Sequence, residues 1–169
     1  MKLIRDKPVE VAAATGALVL CLLFGNGWFT TWLFARLGEL NVPSALGIPA
    51  ALPALRLWPL GTTTWWQTIT ETLAAAFLVA MVALWVSGTR TRHPDAGAAR
   101  LFLSGWLGTI VAAMSANAIR AVVASFDTRD SIGVYTGHAL AALAFGLLWG
   151  LVTGWLIAIA AVLARRGVT

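Results

Sequence analysis

An arginine and a glutamate stand where neither is comfortable. The stretch SANAIRAVVAS, Ser115 to Ser125, places Asn117 and Arg120 inside an otherwise apolar run, and Glu71 lies inside another. An ionised side chain removed from water carries a heavy desolvation cost unless a counter-charge or hydrogen bonds compensate it. Three chemistries use such groups: an ion pair that fixes helix register, a route for protons or polar solutes, and acid–base catalysis. Asn117 precedes Arg120 by three residues and shares its helical face with Ala113 and Ala124, while Glu71 shares a face with Gln67 and Ala75. The expected arrangement is an Arg120–Glu71 pair, with Asn117 or Gln67 meeting the remaining donors and acceptors.

Other site chemistries fit the residues less well. Haem in a membrane bundle needs two axial ligands at one level, and His138 is the one histidine within an apolar run, with His93 on the opposite side. One His with one Glu is too few for a metal site. Ser125, Asp127 and His138 have the residue types of a nucleophilic trio, but nothing in their spacing supports the geometry. The glycines fall at helical packing positions rather than in a phosphate-binding loop. No cofactor, metal or catalytic residue is expected, and enzymatic activity is not the favoured reading.

The elements that must position these groups are membrane helices. The 169 residues are 59% hydrophobic and 11% charged, with nine Trp. Soluble domains carry about 25% charged residues. The mean hydropathy is +0.82. Four apolar runs reach the roughly 20 residues that cross a hydrocarbon core: Val11 to Phe34, Thr64 to Ser87, Leu101 to Ser125 and Gly133 to Ala164. The expected fold is all-α, a single four-helix transmembrane bundle. The first run follows Lys2, Arg5 and Lys7 but is too long for a signal-peptide core and has no convincing cleavage site, so it reads as a retained span. Cys21, the lone cysteine, lies within it and reads as packing.

Net charge +5 does not point to nucleic acid, because the basic residues follow the membrane. Lys2, Arg5, Lys7, Arg90, Arg92, Arg100, Arg165 and Arg166 fall on one side, and Arg36, Arg56 and Arg129 on the other. That bias predicts both termini in the cytoplasm, and the expected residence is the cytoplasmic (inner) membrane. Trp28, Trp32, Trp58, Trp65 and Trp66 fall near the outer boundary and Trp85, Trp106 and Trp155 near the inner one, as interfacial belts do. At 1.5 Å of rise per residue, Arg120 lies about 7 to 8 Å below the outer end of its run and Glu71 about 10 Å below the end of its own. Asn26 on the first span and His138 on the fourth fall in the same leaflet, so all four helices bring a polar group to one level.

Two further features bear on assembly. The outer loop between spans one and two holds Pro43, Pro49, Pro53 and Pro59. So many missing backbone donors rule out a spanning helix, and the loop is expected to lie in the interface as a cap, with a docking or re-entrant role as the alternatives. Behind His138 runs a four-residue ladder, Ala142, Gly146, Gly150, Gly154 and Ala158, and Gly108, Ala112 and Ala116 form a shorter one on the third span. Small residues at this spacing let backbones approach closely. The third-span ladder is a candidate facing surface, and the sequence leaves open whether the partner is a helix of this chain or another subunit. The short echo between SGWLGTI and TGWLIAI is too slight to count as a repeat. The expected partners are the lipid bilayer and either another membrane protein or further copies of this chain. The expected function is that of a small, non-enzymatic membrane subunit or assembly partner; the alternative is an oligomeric transporter or channel using the polar level.

Overall fold

A computed structural model of the chain describes residues 7–37, 51–59, 61, 63–128 and 131–166. The regular elements among the described residues are all helices, with no strand: α1 Pro8–Gly25, α2 Gly27–Leu37, α3 Trp65–Arg92, α4 Ala98–Thr128 and α5 Ile132–Arg166. Four of these, α1, α3, α4 and α5, are long and apolar enough to cross a membrane. Each packs against two neighbours, giving a closed ring in the order α1, α3, α4, α5, with the α4–α5 seam the most extensive. One end of the bundle carries segment 51–59 and is called the loop end; the other, with Lys7 and Arg165, is the terminal end.

The first apolar run does not form one span. It breaks at Asn26, whose backbone is extended (φ −81°, ψ 117°) between Gly25 and Gly27. Asn26 Oδ1 accepts from the backbone N–H groups of Trp28 at 3.0 Å and Phe29 at 3.2 Å, so the side chain caps α2. The crossing segment is therefore Pro8–Gly25, and the expected limits of Val11 to Phe34 are corrected: two glycines and a capping amide end one helix and start the next. Thr64 and Gln67 form a capping box at the start of α3, each accepting from the other's backbone N–H, at 3.2 and 2.9 Å.

Small residues make the core. Ala13, Ala17, Ala75, Ala112, Ala113 and Ala116 are fully buried, with Leu78, Val82, Val86 and Ile157 filling between them. The ladder of α5 faces α4 of the same chain. A Cβ built at Gly146 would lie 2.5 Å from Met114 Cα, and one at Gly150 would lie 2.5 Å from Ile110 Cα. At Gly154 the nearest atom is Trp106 Cδ1, at 2.8 Å. Ala142 and Ala158 are fully buried, and Ala158 is met from the other side by Gly105. Where lipid supplies no hydrophobic drive, this backbone approach is how packing energy is gained. The shorter ladder is not the facing surface as a unit, because Gly108 turns to Trp85 of α3, 2.8 Å from a built Cβ. Trp149, which no interfacial belt accounts for, is buried edge-on against Phe24, centroids 5.0 Å apart.

At the terminal end Arg90 pairs with Glu10 at 3.2 Å, joining α3 to α1. Thr89 and Ser104 share a 2.6 Å hydrogen bond between α3 and α4.

Candidate functional site

Arg120 sits eight residues before the end of α4 and Glu71 six residues into α3, so both reach one level near the loop end. Arg120 Nε donates to Glu71 Oε1 at 2.8 Å, and Nη2 donates to the same oxygen. Asn117, one turn before Arg120 and fully buried, accepts from Arg120 Nη1 at 2.8 Å. These bonds are charge-assisted and set in a poorly solvated place, the Arg120 side chain being 10% exposed and that of Glu71 23%.

The remaining valences of the pair are taken by the backbone of the segment before α3. Arg120 Nη1 also donates to the Ala51 carbonyl at 2.7 Å, and Glu71 Oε2 accepts from the Ala54 N–H at 3.0 Å. Two neighbours complete the hold: Leu55 N–H donates to the Cys21 carbonyl at 3.0 Å, and Thr72 Oγ1 donates to the Arg56 carbonyl at 2.8 Å. Leu52, Pro53 and Ala54 are buried. This part of the loop is inserted into the bundle rather than laid over it, and the expectation of an interfacial cap is corrected for residues 51–56. Pro43 and Pro49 lie outside the described residues.

The insertion has a local logic. A non-helical backbone in an apolar setting must find partners for its N–H and C=O groups. Pro53 has no N–H to satisfy, and the groups on either side of it are met by the two charges. Gly25, at the helix break, lets the Leu55 carbonyl pass where any side chain would collide with it. The broken first helix, the inserted segment and the ion pair are thus one construction.

The other polar residues expected at this level are spent differently. Asn26 and Gln67 are exposed and cap helices, so neither joins the pair. His138 is half-buried on α5, on the ladder stripe. The functional groups that sequence reasoning missed are backbone atoms of Ala51, Ala54 and Leu55. The signal that could have found them is Pro53 inside an apolar loop.

Chemically, the site neutralises two charges and ties α1, α3, α4 and the loop segment together. Both Glu71 oxygens and all three Arg120 nitrogens hold partners. Among the described residues, no three His, Cys, Asp or Glu side chains converge as a metal site. Fold and site together define a four-helix bundle of membrane-spanning helices closed at one end by an inserted, charge-pinned loop segment. Comparison with protein-family models, curated proteins and solved structures finds no match for the chain.

Proposed function

We propose that the chain is a small, non-enzymatic integral membrane subunit that docks a larger membrane complex, held in the cytoplasmic membrane with both termini inside. The observation that carries this reading is how the intramembrane charges are used: each is consumed in pinning residues 51–56. A transport carboxylate must exchange a proton or ion, and Glu71 is instead bonded on both oxygens. Between the pair and the terminal end the buried core is mainly apolar, and the hydroxyls of Thr109, Thr153 and Ser104 within it are bonded to their own helices or to Thr89. What the pinning does accomplish is display. Leu57 and Trp58 follow the held segment directly and are 74% and 60% exposed, and Trp65 and Trp66, at the start of α3, are exposed as well. A rigid apolar patch next to a membrane surface suits a protein partner.

The test is purification in mild detergent followed by native mass spectrometry, with flux measured in vesicles holding this chain alone. A stoichiometric partner is expected, lost from Leu57→Ser/Trp58→Ala protein that melts like the parent, with no proton or solute flux. Flux that Glu71→Gln abolishes without unfolding the bundle would overturn the proposal in favour of the transport alternative.

A further inference from the structure

At the terminal end the α4–α5 seam opens. Near that end Gly105 meets Ala158, where a built Cβ would lie 3.0 Å from Ala158 Cα. Beyond this point Ala98 and Ala99 have too little side chain to fill the gap, and an apolar slot of about 350 Å³ remains, lined by Ala98, Ala99, Phe102, Ile159, Val162 and Leu163. That volume falls within the roughly 300 to 1,000 Å³ of ligand sites. Its walls offer almost no polar atom, so its occupant is apolar where it enters the slot.

The mouth of the slot has a different character. Ala98 and Ala99 open α4 and Leu163 is near the end of α5, so the slot meets the membrane surface there. Arg100 stands on the first turn of α4 and Arg165 on the last turn of α5, at the level of that mouth, exposed and half-buried respectively. Lys7 and Arg92 are exposed on the same end. Of the described carboxylates there, Glu10 is already bonded to Arg90, which leaves Asp95 against four cations. An apolar slot below a cationic rim matches one class of membrane molecule.

We propose that this slot binds one anionic phospholipid of the leaflet at the terminal end, with an acyl chain lying between α4 and α5 and the phosphate held at the level of Arg100 and Arg165. The apolar walls hold the chain whatever the headgroup; the arginines supply the preference for negative charge. The inference does not depend on the docking role, since a lipid in this slot leaves the loop end untouched.

Protein purified in neutral detergent is given equal amounts of phosphatidylglycerol and phosphatidylcholine with matched chains, and adducts are counted by native mass spectrometry. One phosphatidylglycerol per chain is expected, retained about tenfold over phosphatidylcholine, as two surface arginines would provide. Arg100→Gln with Arg165→Gln should abolish the preference while keeping some of both lipids, whereas Lys7→Gln with Arg92→Gln should leave it intact. Ala99→Phe, which fills the slot, should lower retention of both lipids; if that variant melts early, Ala98→Leu and the arginine pair decide. Equal retention of the two lipids by the parent, or several adducts without a plateau at one, would mean unselective surface lipid and overturn the proposal. So would a preference that follows Lys7 and Arg92 instead. A dimer that Ala99→Phe dissociates, with no lipid adduct, would give the slot to a second copy and equally overturn it.

Discussion

Arg120 meets its desolvation cost through three acceptors, and two of them are not charged: the Ala51 carbonyl and Asn117 Oδ1. Replacing it with alanine strands the Glu71 carboxylate with a single N–H partner from Ala54. Stranding one partner of a buried pair costs about 3 to 5 kcal/mol. Arg120→Ala is therefore expected to lower melting temperature and membrane abundance sharply, and adding Glu71→Ala should cost less than the sum of the two single losses. Thermal unfolding in detergent of the two singles and the double checks this; additive losses would show that the residues do not act as a pair. Asn117→Leu keeps the branched outline of the side chain but removes one acceptor from Arg120 Nη1, and should cost about 1 to 3 kcal/mol.

At the scale of the elements, glycines decide how closely backbones pass. Gly25→Ala would force the Leu55 carbonyl away and break the Leu55 N–H bond to Cys21. Overpacking of this kind costs about 1 to 3 kcal/mol. Beyond lower stability, the expected outcome is release of the segment: in a Cys21→Ala background, a cysteine at the buried Ala54 should react with a thiol reagent faster once Gly25 is replaced. Equal rates would mean that the segment is not held at the helix break. On the α4–α5 seam, Gly146→Leu sets a side chain against Met114 backbone, which cannot yield, and should lower the melting temperature strongly. Gly88 of α3 has nothing within 4 Å of a built Cβ. Gly88→Ala should be neutral or stabilise by up to about 1 kcal/mol, through helix propensity alone. The two measured side by side separate close approach from propensity.

For the whole molecule, orientation follows from where the cations lie. The described basic residues Lys7, Arg90, Arg92, Arg100 and Arg165 gather at the terminal end, and Arg36 and Arg56 lie at the loop end, with Arg36 over the Trp32 ring at 4.2 Å. By the preference of basic flanks for the cytoplasm, a cysteine at Ser131 should react with an impermeant thiol reagent outside intact cells and one at Thr91 should not, both without Cys21. The reverse pattern would invert the orientation and place the pinned segment inside.

Much of this architecture was legible from local chemistry. Four apolar runs and their lengths determined four crossing helices, because a bilayer leaves a backbone few other ways to satisfy itself. Matching depth pointed Arg120 at Glu71, and three-residue spacing put Asn117 beside Arg120, because helix rise and periodicity are local properties. The four-residue ladder announced close packing. Its choice of α4 within this chain, and the turning of Gly108 to α3, depended on how the four helices rotate about their axes, which no single run encodes. The break at Asn26 was written as GNG inside an apolar stretch, where hydropathy masked the capping chemistry. Least legible was the insertion of residues 51–56, because its partners are backbone atoms, identical in every residue type. Only the tertiary structure decides which carbonyl and which N–H come within reach of a given charge.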